Sequence, residues 1–173
     1  KPTNDPDMGW HLQNGKYLLE HNLKVPATDI YSYTMSEYPL IMHEWLTDIG
    51  MYLVWNNLGL VGLMVIFGII TVAAFIIVAR AFKAPLEYQL VAAVLGIIAS
   101  VPILGTRAQM ITLLFMAITI FIIQRYKQDE NSKIIWWLPL VFLFWVNLHG
   151  AFVVGFLILG LYGFFEILKQ GLI

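Results

Sequence analysis

The chain has 173 residues, 60% of them hydrophobic and only 12% charged, with a mean hydropathy of +0.76; soluble domains carry roughly 25% charge, so this is the composition of an integral membrane protein. A formal charge of −1 excludes the basic surface that nucleic-acid binding needs. The lack of cysteine excludes disulfides, thiolate nucleophiles and cysteine-based zinc or iron–sulfur centres, so any metal would have to sit on oxygen or imidazole.

The chain opens at Lys1 without the pattern of a signal peptide and stops at Ile173 directly after an apolar span, and it is expected to be part of a longer protein. Residues 1–57 are too polar to cross a bilayer. Within them "DPDMGWHLQNGKYLLEH" predicts an amphipathic helix capped by Asp5, with Pro6 at its first position and Trp10, Tyr17 and Leu18 on one face. "NLKVPATDIYSYT" follows as an irregular connection whose Tyr31, Ser32, Tyr33 and Thr34 read as interfacial anchors. "PLIMHEWLTDIGMYLVW" predicts a second amphipathic helix lying on the membrane.

From residue 58 the chain reads as a bundle of apolar runs, each to be compared with the ~20 residues that cross a ~30 Å hydrocarbon core. Five are expected: Leu58–Ala79, Tyr88–Leu104, Ala108–Gln124, Ile134–Leu148 and Ala151–Leu168, all helical because lone strands leave backbone groups unsatisfied in lipid. The fold class is therefore all-α and polytopic, with an outer segment (1–57) ahead of a transmembrane bundle (58–173). Arg80, Lys83, Arg125, Lys127, Lys133 and Lys169 follow alternate spans, whereas the opposite short loops carry only Arg107. The positive-inside rule then puts those cations in the cytoplasm and residues 1–57 outside, with a bacterial inner membrane as the expected location.

That topology collects polar residues from distant stretches on one side: Asp5, Asp7, His11, His21, His43, Glu44, Arg107, Asn147 and His149. The fourth span is short, ~22 Å at 1.5 Å per residue, which sinks Asn147 and His149 below the outer surface, where polar groups must face protein or a wet cavity. Asp5 and Asp7 read either as a helix start or as an Asp-x-Asp pair serving as general base or holding a divalent cation such as Mg or Mn. His43 and Glu44 read as a solvated face or as sugar and phosphate recognition. Arg107 reads as a helix-end marker or as the cation for a lipid phosphate, and Asn147 and His149 as a hairpin closure or as site groups. Gly155 to Gly163 read as close helix packing.

Taken together, "DPDMGWHLQNGKYLLEHNLKVPATDIYSYT", "HEWL", "TRAQ" and "LPLVFLFWVNLHGAF" resemble multi-spanning bacterial proteins allied to the GT-C glycosyltransferases, the superfamily of protein O-mannosyltransferases and the aminoarabinose transferase of lipid A. The resemblance implies an outward-facing site that moves a sugar from a polyprenyl-phosphate carrier in the membrane lipid to an acceptor hydroxyl. It implies Asp7 as the catalytic carboxylate with Asp5 as companion, His43 facing the phosphate in "YPLIMHEWL", and Arg107 as a further cation; His11, Glu44, Asn147 and His149 complete the expected substrate-binding set. Two rival readings stay open: a noncatalytic member of an assembly with other membrane subunits, and a transporter, which would need polar groups in both halves of the membrane.

Overall fold

The structure, a computed structural model, describes residues 6–101 and 104–171. Among them the chain is helical throughout: α1 (Met8–Glu20), α2 (Trp45–Ala81), α3 (Leu86–Ser100), α4 (Gln109–Gln128), α5 (Leu138–Leu148) and α6 (Val153–Gly171). Short 3₁₀ turns over Lys133–Trp137 and Gly150–Phe152 lead into α5 and α6.

Three stretches are long and apolar enough to cross a membrane, Trp45–Ala81, Gln109–Gln128 and Gly150–Gly171. The two other expected spans are shorter. Helix α3 stops at Ser100 rather than Leu104, giving 15 residues or ~22 Å; residues 102–103 of that expected span lie outside the described residues. The fourth combines a five-residue 3₁₀ turn with 11 α-helical residues, about 26 Å from the two rises, so its shortness is as expected. Among the described residues each of the five expected spans contains a helix, and three of those helices are long enough to cross.

The expected second surface helix is not a separate element. It runs straight into the first long helix as one 37-residue element, bent at Gly59, whose φ of +62° and ψ of −160° interrupt the helical path. That backbone region is open essentially to glycine alone, so the bend is written into the sequence at one position. Residues before it carry the polar groups described below; residues after it are nearly all apolar.

Helix α1 lies along the first part of α2, and its inward face keeps Leu18 of the expected one but not Trp10 or Tyr17. His11, Gly15 and Leu18 are buried, whereas Trp10 is 48% exposed and Tyr17 stacks on His21 instead. The reason is Gly15: the α1 backbone approaches so near to Asp48 that a β-carbon there would overlap the Asp48 carbonyl. The face that can come closest wins over the face with the larger side chains. Beneath it Met51, Leu63, Phe67, Met110 and Ile111 form a core that Met8 and Leu12 of α1 help to cover, so the outer segment and the bundle share one interior.

Hydrogen bonds fix the helix directions. The Thr47 hydroxyl donates to the Leu148 carbonyl, joining the start of α2 to the end of α5, while Gln128 Nε2 donates to the Ala81 carbonyl at 3.3 Å, joining the ends of α4 and α2. Thus α2 and α4 run parallel and α5 returns between their ends. Thr71 and Thr119 donate to carbonyls one turn back, at 2.8 Å each, which satisfies their hydroxyls without a partner helix. Of the glycines expected to pack, Gly155 does so, seated against Trp145 and Phe142, whereas Gly160 and Gly163 face open space within this chain. Helix α3 buries no residue and α6 only Gly155, leaving apolar outer faces of the kind a lipid environment covers.

Candidate functional site

The start of α2 places Glu44 and Asp48 one turn apart, on a common face; α1 places His11 and Asn14 at a matching spacing opposite them. His11 Nδ1 meets Asp48 Oδ1 at 2.5 Å, and Asn14 Nδ2 donates to Asp48 Oδ2 at 3.1 Å. Asp48 is 2% exposed, and both of its oxygens are satisfied, as a buried carboxylate requires. The Tyr31 hydroxyl donates to Asn14 Oδ1 at 2.8 Å. Burial and then the Asp48 carboxylate push the Tyr31 phenol above its ordinary value, so it remains a donor. Asp29 in turn accepts from the Tyr31 and Ser32 amides at 2.8 and 3.1 Å, a local turn that holds Tyr31 in place.

Glu44 is the second hub. His11 Nε2, His43 Nε2 and His149 Nε2 lie 3.8, 3.4 and 3.6 Å from its carboxylate, and the Gly150 amide donates to it at 3.3 Å. These groups come from α1, the start of α2 and the link between α5 and α6. His43-Glu44 is thus a contact between distant segments, not a solvated face alone.

The tautomer of His149 follows from its neighbours. Trp145 Nε1 donates to Thr112 Oγ1 at 3.1 Å, which leaves the Thr112 hydroxyl to donate to His149 Nδ1 at 2.8 Å; the Ala151 amide also donates to Nδ1, at 3.2 Å. Nδ1 is therefore an acceptor, and the proton sits on Nε2, toward Glu44. Burial lowers the imidazole below its ordinary 6.5, with the Glu44 carboxylate opposing that shift and His11 and His43 adding to it. The neutral form is the folded form, so the unfolded chain takes up a proton first as pH falls through 6.5. Stability is expected to be fully present above that pH and to drop below it. Thermal unfolding in detergent from pH 7.5 to 5 checks this: His149→Gln should flatten the acid side of the profile.

Asp7, Trp10, His11, Asn14, Ile41, Met42, His43, Glu44 and Asp48 line one cavity of about 370 Å³. Asp7 precedes α1, yet its carboxylate makes no capping hydrogen bond to that helix; α1 begins only at Met8, after a turn at Pro6 and Asp7. Asp5, the expected cap and companion, lies outside the described residues.

Three expected site residues stand off the lining: His149, which reaches it only through Glu44, and two others. Asn147 accepts from Trp45 Nε1 at 2.9 Å and donates to the Leu143 carbonyl at 2.8 Å; it fastens α5 to the start of α2 and does not line the cavity. Arg107 is half-buried in the α3–α4 link and also lies off the lining. Its neighbour Thr106 is buried with its hydroxyl 3.9 Å from Met8 Sδ, which brings that link to the first turn of α1, one residue past Asp7.

Asp5, half of the pair expected to hold a divalent cation, lies outside the described residues. Asp48 spends its oxygens on His11 and Asn14, and Glu44 faces imidazoles and an amide; among the described residues no group of three or more His, Asp and Glu is placed to share a metal ion.

The far end of the bundle has a different character. Lys83, Arg125, Gln128, Asp129 and Ser132 line a separate cavity there, and Lys127 and Lys169 each sit 3.5 Å from Glu166. His11, His43, His149, Glu44 and Asp48 thus meet at one end, and Lys83, Arg125, Lys127 and Lys169 lie toward the other.

Asp48 is the residue sequence reasoning missed. Its signal was the Glu44–Asp48 spacing opposite the His11–Asn14 spacing, two short polar faces that fit each other. No protein-family model, no curated protein and no solved structure matches the chain.

Proposed function

We propose that the cavity is the centre of a GT-C-like glycosyltransferase, which moves a sugar from a polyprenyl-phosphate carrier to an acceptor hydroxyl at the extracytoplasmic face of a bacterial inner membrane. One observation carries this reading: Asp7 and His11 from one stretch and His43 and Glu44 from another line one cavity at the bundle end opposite the Lys83 and Arg125 cavity.

In this mechanism the acceptor oxygen attacks the anomeric carbon as the bond from that carbon to the phosphate oxygen breaks. Asp7 takes the acceptor's proton. The departing phosphate gains charge, which the His11 and His43 imidazoles, with Arg107 from the adjacent link, offset by donating hydrogen bonds or by positive charge. His149 and Gly150 do not meet substrate; they hold Glu44, and Asp48 holds His11.

General-base catalysis contributes roughly 10²–10⁴-fold to a rate. Asp7→Asn, which keeps size and removes the base, is expected to cut sugar transfer in membrane preparations by about that factor while the protein still assembles. Unchanged transfer would contradict the reading. Transfer lost only because the variant fails to associate with other membrane proteins would instead support a noncatalytic subunit.

A further inference from the structure

The cavity at the far end of the bundle has no part in the site built around Glu44. It measures about 420 Å³ and draws on three segments: Lys83 follows α2, Phe121, Arg125 and Gln128 belong to the last turns of α4, and Asp129, Ser132 and Ile134 lie in the stretch leading to α5. Two of its polar groups already have structural partners. Gln128 Nε2 donates to the Ala81 carbonyl at 3.3 Å, which ties the ends of α2 and α4 together, and the Asp129 carboxylate accepts from the Asn131 amide at 3.1 Å. The cations differ. Lys127 and Lys169 nearby share Glu166, whereas among the described residues neither Lys83 nor Arg125 sits in an ion pair with a carboxylate. Arg125 lies instead over the Phe121 ring, 5.0 Å from its centroid, a contact that restrains the guanidinium while leaving its N–H edge open to an acceptor. Ser132 Oγ accepts from the Ile134 amide at 3.4 Å, which leaves its hydroxyl hydrogen to donate.

We propose that this cavity binds the phosphate of an anionic phospholipid, with Lys83 and Arg125 on its oxygens and Ser132 as a neutral donor. The charges fit one such group: two cations against Asp129 leave a single positive charge on the lining, the complement of a phosphodiester. Depth fits too. Trp136 and Trp137, in the 3₁₀ turn that begins just after Ser132, are exposed, and indoles gather at the headgroup level of a bilayer. On the other flank Phe82 and Leu86 are exposed around Lys83, ahead of an α3 that buries no residue, so acyl chains below the phosphate meet apolar surface. A diffuse excess of lysine and arginine is enough to orient a chain in a membrane and needs no hollow. Two cations from separate segments around one hollow, one of them backed by a ring, make a headgroup pocket between helices. The site is independent of the sugar-transfer reading, since none of its residues lines the cavity at Glu44.

The test uses the full chain in a neutral maltoside detergent, with bound lipid counted by native mass spectrometry and unfolding followed on heating. Phosphatidylglycerol is expected to bind as one tightly held molecule per chain, at least about tenfold more tightly than phosphatidylcholine, and to raise the unfolding temperature. Lys83→Gln combined with Arg125→Gln should bring the two lipids to nearly equal affinity. Lys127→Gln combined with Lys169→Gln removes the same charge from the same end but outside the cavity, and should keep the preference. All four side chains are exposed, so both double variants are expected to unfold near the wild-type temperature when no lipid is added. Equal binding of the two lipids by the unaltered chain would overturn the inference by removing charge selection. Equal loss in both double variants would reduce the cavity to a diffuse basic surface, and the same stabilisation by inorganic phosphate alone would make it a site for the free ion; either result also overturns it.

Discussion

Gly15→Ala is expected to detach α1 from the bundle. The added methyl carbon would overlap the Asp48 carbonyl oxygen and lie 2.6 Å from its carbon and 2.8 Å from Tyr52 Cβ. Backbone atoms in mid-helix cannot rotate away as a side-chain tip can, so the whole of α1 has to move. Overpacking in a core costs about 1–3 kcal/mol when neighbours adjust; here the adjustment also breaks the His11–Asp48 and Asn14–Asp48 contacts, so a loss of about 3 kcal/mol or more is expected. Thermal unfolding in detergent, together with proteolysis within residues 20–44, measures it. A fully stable variant with α1 still protected would show that the helix does not pack at this distance.

Asp48→Ala should be comparably damaging for a different reason. The side chains of Asp48 and His11 are 2% and 11% exposed, so removing the carboxylate strands an imidazole and an amide in a space that water reaches poorly. Breaking a buried pair by deleting one partner costs about 3–5 kcal/mol, because the partner left behind keeps its desolvation penalty. Asn14→Ala removes a neutral amide that bonds Asp48 and Tyr31 and should cost less, about 1–2 kcal/mol. That ordering, read from unfolding midpoints, separates a buried charge network from ordinary packing.

These two residues also mark what the sequence could and could not reveal. Periodicity and length located α1 and a helix in each apolar run, because apolar runs must be helical in lipid whatever they pack against, but not the fusion of the second surface helix with the first long one. The shortness of α5 pointed correctly to a buried His149, since a polar group on a short span has nowhere else to go. Side-chain size, by contrast, misjudged α1. Trp10 and Tyr17 look like its buried face, but the helix turns its glycine inward, and only a neighbour at a known distance makes that preference visible. Asp48 was hidden for a related reason: one acid in an apolar stretch reads as a surface residue until His11 and Asn14 are seen across from it. Asn147 bonds a backbone carbonyl, the plainer of its two expected roles, and accepts from Trp45 besides.

The resemblance to GT-C enzymes rests on residues 5–34, "HEWL", "TRAQ" and "LPLVFLFWVNLHGAF", and Glu44 of "HEWL" meets His11 of the first stretch and His149 of the last. Sequence placed Asp7, His11, His43, Glu44 and His149 on one side of a membrane from loop charge alone; the structure brings His11, His43 and His149 to a single carboxylate. Charge bias can assign a side. It carries no information on which residues of that side touch.

The convergence of α1, the start of α2 and the α5–α6 link is what everything functional depends on, and the absence of cysteine makes it directly measurable. A β-carbon at position 150 would lie 3.0 Å from His43 Cδ2, so a His43→Cys, Gly150→Cys double variant in native membranes should be joined almost completely by a short thiol-to-thiol cross-linker. Both positions should also react with a membrane-impermeant thiol reagent from the same face. Failure to cross-link, or labelling of the two positions from opposite faces, would contradict the account.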